Sequence, residues 1–190
     1  MVLSKTTNYQ IGLVLREGDL LSELNKEVKH SDFDIVIMGS PHRKRMINKI
    51  SQFLDTSIFF VKNFNPNWNY KILLCVDDSR ATKRAVILST RISKQFDAEI
   101  TSLTVSKTSL FGKGYRNAHI WAERYLQRIG IPFNSKLLSG NPVEVFVNEA
   151  GEDHIIIMGK AKGNEILKFI LGSKPIHTAQ RANCSVLLVN

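Results

Sequence analysis

Short, continuous runs of apolar residues recur along the chain, each followed by a small or polar residue. Such runs are typical of strands buried on both faces, as in a parallel sheet covered by helices, whereas a half-exposed strand alternates apolar and polar residues. After residue 70 the pattern predicts five strands, at residues 71–76, 99–105, 132–138, 154–158 and 185–189.

Apolar residues spaced three or four apart predict helices between these strands. One helix begins at Ser79, a residue type that caps helices, and places Ala81, Ala85, Leu88, Ile92 and Phe96 on its inner face. Another covers residues 115–129 and ends at Gly130. Five strands alternating with four helices predict an α/β fold, a doubly wound parallel sheet flanked by helices.

The beginning of the chain repeats part of this pattern. Three pairs of segments align: residues 15–18 with 138–140, residues 33–39 with 153–159, and residues 57–61 with 185–189. We therefore expect residues 1–63 to be a truncated repeat with the last three strands and two helices, its first strand at residues 10–15. Residues 64–69, rich in Asn and containing Pro66, form the linker to a complete domain at residues 70–190.

Composition narrows the class of protein. The formal net charge of +9 is spread along the chain, and the one basic cluster is Arg43-Lys44-Arg45, which we interpret as a solvated helix face. The sequence has no DNA-binding motif or aromatic platform, so a nucleic-acid partner is not expected. It has no apolar run long enough to span a membrane. Cys75 and Cys184 are expected to be buried thiols in a reducing cytoplasm.

Two segments follow predicted strands and carry the candidate chemistry. The first is Val76-Asp77-Asp78-Ser79; the second runs from Met158-Gly159 through Lys162 and Gly163 to Gly172-Ser173. In an open parallel sheet, ligands bind beyond the carboxyl ends of the strands. Glycine allows a close approach of the backbone, and amides at a helix start attract anions, so the second segment predicts a phosphate site.

Each of these residues also has a structural interpretation. Asp77 is of a type that caps helices, although Ser79 is available as the cap and leaves Asp77 to face a ligand. Gly159 and Gly163 fit a tight turn between strand and helix. Gly172 and Ser173 fit the end of one helix and the cap of the next.

The two segments, in this order, resemble those of the universal stress protein family, and the resemblance covers residues 70–190. The family's second segment runs Gly, two residues, Gly, nine residues, Gly and then Ser or Thr, with an Asp after the first strand. Here the middle glycine is replaced by Lys162, and Gly163 comes one position late. Lys174-Pro175 also departs from the family pattern after Ser173.

The resemblance implies a regulatory module of the stress response that binds ATP or a related adenine nucleotide, with Mg²⁺ accompanying it. It implies these binding residues: Val76, Asp77, Val105, Met158, Gly159, Lys162, Gly163, Gly172 and Ser173. Either Lys162 and Lys174 attract phosphates as point charges, or the bulky Lys162 side chain blocks the close approach. The truncated repeat has no Gly-Ser pair after Gly39, so no nucleotide is expected there.

A second hypothesis is a stress-related protein-interaction module that binds no nucleotide and acts through dimerisation. The resemblance implies a homodimer through the last strand. Residues 58–61 and 186–189 either pair within the chain or each pair with another chain. No catalytic residue and no metal site are predicted, since the sequence has no nucleophile motif and its five histidines lack ligand spacing.

Overall fold

A computed structural model describes residues 12–31, 33–41, 44–107, 112–160 and 174–190. The helices are α1 (Leu20–Ser31), α2 (Lys44–Phe53), α3 (Arg80–Phe96), α4 (Lys113–Ile129), α5 (Pro142–Glu149) and α6 (Lys174–Arg181). The strands are β1 (Ile35–Gly39), β2 (Ser57–Val61), β3 (Lys71–Val76), β4 (Ile100–Ser106), β5 (Phe133–Ser139), β6 (His154–Gly159) and β7 (Ser185–Val189).

The described strands form one seven-stranded sheet in the order β1-β2-β7-β6-β3-β4-β5. All neighbours are parallel except β2 and β7, which pair antiparallel. The family-like segment after residue 70 therefore supplies the five strands expected of it. Residues 58–61 and 186–189 pair within the chain, which was one of the two alternatives.

Two apolar layers cover the sheet. One face packs against α1, α2, α5 and α6, through buried residues such as Ile50, Phe146 and Ile176. The other packs against α3 and α4, through Ala85, Val86, Ala122 and Leu126. The central strands are buried on both faces, β7 along its whole length, which explains their continuous apolar sequence.

Two details differ from expectation. Phe96, predicted to face inward, is 71% exposed because it is the last residue of α3, next to Asp97 in the left-handed conformation (φ 52°). No strand forms at residues 12–15, the described part of the strand expected at residues 10–15. A strand requires a neighbour for its backbone hydrogen bonds, and no described strand lies beside these residues.

The β1–β2 and β6–β7 pairs share one register. Gly39 lies opposite Val61 as Gly159 lies opposite Val189, and the first residues of β2 and β7 are Ser57 and Ser185. Ser185 Oγ accepts the Lys62 amide at 3.0 Å, and Ser57 Oγ accepts the Asn190 amide at 3.2 Å. The contacts across the β2–β7 junction are thus nearly symmetric.

The segment between β2 and β3 is ordered by aromatic residues. The rings of Phe64 and Tyr70 stack at 5.9 Å, and Trp68 meets the Tyr70 ring edge-on. Tyr70 Oη accepts the amide of Asn65 at 2.8 Å. The connection between residues 1–63 and the domain that begins at residue 70 is therefore short, and its residues are held by contacts with one another.

Candidate functional site

The carboxyl ends of β3, β4 and β6 meet at one edge of the sheet and enclose a small cavity. Four of the predicted binding residues line it: Val76, Asp77, Val105 and Met158. The remaining walls come from Cys75 and from helices α4, α5 and α6, which contribute Tyr115, Pro142, Phe146 and Lys174. Parallel topology brings these residues together, because strands far apart in sequence end on the same side.

Asp77 is held by the start of α3. Its Oδ1 accepts the Ser79 amide at 3.0 Å and the Thr82 hydroxyl at 2.5 Å, and Thr82 Oγ1 in turn accepts the Asp77 amide at 3.3 Å. Ser79 occupies the N-cap position, but its side chain makes no cap hydrogen bond. The expectation that Ser79 would relieve Asp77 of local bonding is therefore wrong. Among the described residues, both hydrogen bonds to the Asp77 carboxylate use Oδ1.

Gly159 ends β6 directly under α3. A Cβ atom there would lie 2.7 Å from the Ala81 carbonyl carbon and from the Thr82 amide nitrogen. Real Cβ atoms do not approach backbone so closely, so glycine is required for packing of helix on strand. The register-matched Gly39 has no such neighbour within 4 Å. Packing against α3 therefore requires glycine at position 159 whether or not a ligand binds.

The cavity is small in its present form, at about 10 Å³. That is room for about one water molecule. Part of its wall is a polar contact between helices: Lys174 Nζ donates to Tyr115 Oη at 3.2 Å. The same ammonium lies 5.5 Å from the Tyr115 ring centroid. At these two distances it lies beyond the hydroxyl rather than over the ring face, so the contact is a hydrogen bond and not a cation–π contact.

A larger, open groove of about 320 Å³ lies outside the cavity, between the starts of α3 and α4. Asp77 borders both spaces, and the groove adds Asp78, Asn117 and Trp121. Lys83 Nζ sits 5.5 Å from the Trp121 ring and Tyr125 stacks on it at 5.4 Å, so two side chains of the protein already contact this indole.

Four predicted binding residues, Lys162, Gly163, Gly172 and Ser173, lie outside the described residues. Lys174, expected to attract phosphates, lines the cavity, whereas sequence reasoning missed the contributions of Tyr115 and Phe146. Phe146 lies in the helix that Asn141 caps, shortly after Gly140 and the end of β5, so the sequence contained a signal for its position near a strand end. Tyr115 lies in the first turn of α4, where the pattern gave no sign of its orientation.

Both cysteines lie in environments that disfavour the thiolate form. Both are free and buried. Burial first, and then the charge of Asp77, raises the pKa of Cys75 well above its ordinary value. Burial likewise raises the pKa of Cys184 to about 11. Because the thiolate is the nucleophile and metal ligand, both environments disfavour the reactive form of the thiol. Within the described part of the chain, no cluster of metal-ligating side chains occurs and no helix could cross a membrane.

The sheet order and the flanking helices define an α/β domain with a mostly parallel sheet, a cavity at its strand ends and a glycine packed under α3. The profile of the Universal stress protein family matches residues 69–190, so the chain belongs to the universal stress protein family. A search of curated proteins finds no match.

Solved structures share this fold at low sequence identity. A universal stress protein from Archaeoglobus fulgidus DSM 4304 is 17% identical and superposes with a TM-score of 0.73, covering 91% of this chain and 66% of its own. A putative universal stress protein from Pseudomonas aeruginosa UCBPP-PA14 is 14% identical, with a TM-score of 0.65 and coverages of 91% and 69%.

A universal stress protein solved in complex with cAMP is 20% identical, with a TM-score of 0.53, and covers 64% of this chain and 97% of its own. This chain is therefore longer than that relative and spans about two thirds of the two preceding ones.

Proposed function

We propose that the chain is a regulatory module of the stress response that binds ATP or a related adenine nucleotide at the strand-end cavity. The observation that carries the proposal is the meeting of Val76, Asp77, Val105 and Met158, contributed by three strands or the turns that follow them, around one space. A related fold is known in complex with cAMP. An acidic group beside apolar walls suits an adenine ring, which has hydrogen-bond donors and apolar faces.

Binding requires the cavity to widen, since about 10 Å³ does not hold an adenine ring. The Lys174–Tyr115 hydrogen bond joins α6 to α4 across its wall. When that bond is released, the Lys174 ammonium is available to a phosphate as a point charge. Mg²⁺ would be carried by the nucleotide phosphates, and we assign it no protein ligand.

Residues 1–63 are, in this proposal, an incomplete copy of the same unit. The shared register of β1–β2 and β6–β7 supports this, as do the matched hydroxyl contacts of Ser57 and Ser185. Within residues 12–31, 33–41 and 44–63, no strand corresponds to β3 or β4, so the strand ends that form the cavity of the second unit have no counterpart there. The complete unit, residues 70–190, carries the ligand.

The second candidate is an interaction module that binds no nucleotide. The small cavity and the local bonding of Asp77 favour it. Under either candidate the protein is a cytoplasmic regulator rather than an enzyme. A homodimer through the last strand would have to displace β2, because β7 already lies between β2 and β6.

Mass spectrometry and calorimetry separate the two candidates. The purified protein is denatured and its supernatant analysed for adenine nucleotides, and the nucleotide-free protein is titrated with ATP and Mg²⁺. Nucleotide binding predicts a saturable heat and a tenfold or greater loss of affinity in Asp77→Ala, about 1.4 kcal/mol. Absence of nucleotide together with no saturation at millimolar ATP would exclude this function and leave the interaction module.

Matched variants locate the site. Asp78→Ala removes a neighbouring carboxylate that is exposed and lines the outer groove rather than the cavity, so it should leave affinity unchanged. Lys162→Gly restores the family's glycine: a gain in affinity would identify the lysine as a block and a loss would identify it as a ligand. Melting temperatures of all variants check that lost affinity is not lost folding.

A further inference from the structure

The two edges of the sheet differ in chemistry. The edge strand β5 carries the exposed polar residues Asn134, Ser135 and Lys136, the last of which pairs with Glu149. The opposite edge strand, β1, is Ile-Val-Ile-Met-Gly, and β2 is its one partner among the strands that the structure describes. Natural sheets protect their edges with charges or prolines. The apolar edge of β1 has no charge or proline of this kind, so it is suited to pairing with another strand.

One face of β1 is also uncovered by any described helix at Ile37 and Gly39. Ile37 and Ile157 occupy equivalent register positions, opposite Phe59 and Leu187 respectively. Ile157 is fully buried under α3, whereas Ile37 is 67% exposed. The same contrast separates Gly159, which touches the α3 backbone, from Gly39, which has no atom within 4 Å of its would-be Cβ. No described helix takes the place of α3 over β1.

The chain contains a second apolar segment that, like the edge of β1, has no partner strand among the described residues. Residues 12–15, here called the arm, are outside any strand, and the side chains of Leu13 and Leu15 are 96% and 95% exposed. The arm contains no charged residue. An uncharged segment with unpaired backbone and exposed leucines is suited to adding as a strand to an apolar sheet edge.

We propose that two copies of this chain form a dimer in which the arm of each lies along the free edge of β1 in the other. The exchange is reciprocal, so one twofold axis satisfies two edges and two arms. It uses a surface distinct from β7 and from the strand-end cavity, and it does not depend on nucleotide binding.

The arm's attachment favours exchange over pairing within the chain. Arg16, directly after the arm, bonds Glu27 at 3.0 Å through Nε and lies 3.9 Å from Glu23, which holds the base of the arm against α1. Helix α1 packs on the face of the sheet that bears Val36 and Met38. Ile37 points to the opposite face, and the exposure of Leu13 shows that the arm does not cover it in its own chain.

Light scattering after size exclusion and sedimentation equilibrium test the proposal on the full chain, from low micromolar to several hundred micromolar. The wild type should dimerise, and Ile37→Lys and the double variant Leu13→Lys/Leu15→Lys should be monomeric. Phe96→Lys changes an equally exposed apolar residue at the end of α3 and should leave the dimer intact. Because all these side chains are exposed, circular dichroism should be unchanged.

Mixing the variants separates arm exchange from other dimers. Ile37→Lys keeps its arm and the arm variant keeps its edge, so the mixture should form heterodimers through one intact contact. A monomeric wild type would overturn the proposal, as would an arm variant that dimerises like the wild type, which is the result expected if β1 pairs with β1. Hydrogen exchange is the second measurement: residues 12–15 and 35–39 should gain protection with concentration, and unchanged protection would also contradict it.

Discussion

Two glycines that look alike in the sequence differ in whether the structure has room for a Cβ atom. Gly39 and Gly159 both end a Met-Gly strand and occupy the same register position. Only at Gly159 would a Cβ meet backbone atoms, since α3 crosses β6 there and no described element crosses β1 at the matching place. The alignment predicted both strands correctly, but it did not reveal which glycine is needed for packing.

Alanine at these two positions should therefore have opposite effects on stability. Gly159→Ala forces α3 away from β6 and should lower the free energy of unfolding by about 1–3 kcal/mol. Gly39→Ala adds a side chain in open space and should be neutral or stabilising by about 0.5–1 kcal/mol. Urea denaturation followed by circular dichroism measures both. Equal losses in the two variants would contradict the described difference in packing.

Asp77 illustrates what sequence reasoning can and cannot give at this scale. The strand-then-helix pattern placed it correctly at a strand end and beside the cavity. The pattern assigned the capping to Ser79, whereas the structure uses Asp77 Oδ1 to hold the Ser79 amide and the Thr82 hydroxyl. Several polar groups in one turn compete for the same amides, and their geometry decides the outcome.

At the scale of elements, the junction of β2 and β7 holds the two parts of the chain together. Its backbone pairing is reinforced by side chains: Lys62 Nζ donates to the Ala182 carbonyl at 2.7 Å, and Asn63 donates to the Asn183 carbonyl at 2.8 Å. Ser57 and Ser185 are both nearly buried, so their hydroxyls satisfy amides that water cannot easily reach.

Removing either hydroxyl should weaken the fold. Ser185→Ala leaves the Lys62 amide without its acceptor, and Ser57→Ala does the same to the Asn190 amide. Each should lower the free energy of unfolding by about 1–3 kcal/mol. Ser139→Ala, the same change at an exposed position of β5, should stay within about 0.5 kcal/mol of wild type in the same urea titration. A junction variant no worse than Ser139→Ala would show that these hydroxyl contacts add nothing.

At the scale of the whole molecule, the two parts share one apolar layer. Ile50 and Phe60 from the first part lie in the same buried cluster as Ile156, Val186 and Leu188 from the second. A shared core and a continuous sheet make separate unfolding of either part unfavourable. The chain should unfold as one cooperative unit.

Tryptophan fluorescence can test this cooperativity in each part separately. The chain has two tryptophans, Trp68 in the connection between β2 and β3 and Trp121 in α4. Trp121→Phe leaves a probe near the junction, and Trp68→Phe leaves one in the family domain. The two variants should give urea transitions with the same midpoint, coincident with circular dichroism. Midpoints that differ between the probes, in either order, would mean that the parts unfold independently.

The positions of the buried strands were easier to predict from the sequence than which segments find a partner strand. The predicted strands 71–76 and 185–189 match β3 and β7 in both bounds, because continuous apolar runs have few other interpretations. The strand expected at residues 10–15 is not formed at residues 12–15, although Leu13, Val14 and Leu15 form an apolar run. Strand formation depends on a neighbour, which local sequence does not encode. For the same reason the pattern left open whether β2 and β7 pair within the chain.

The connection between β2 and β3 has a consequence for how the β2–β7 contact responds to dilution. Strands that pair between separate chains dissociate when the protein is diluted. Here β2 and β7 belong to one chain: nine residues, from Lys62 to Tyr70, join β2 to β3 of the unit that contains β7, and the stacked Phe64 and Tyr70 rings restrict that tether. A short tether fixes an effective concentration on the order of millimolar, whatever the amount of protein present. The seven-stranded sheet therefore remains whole at concentrations where a dimer of separate chains would come apart.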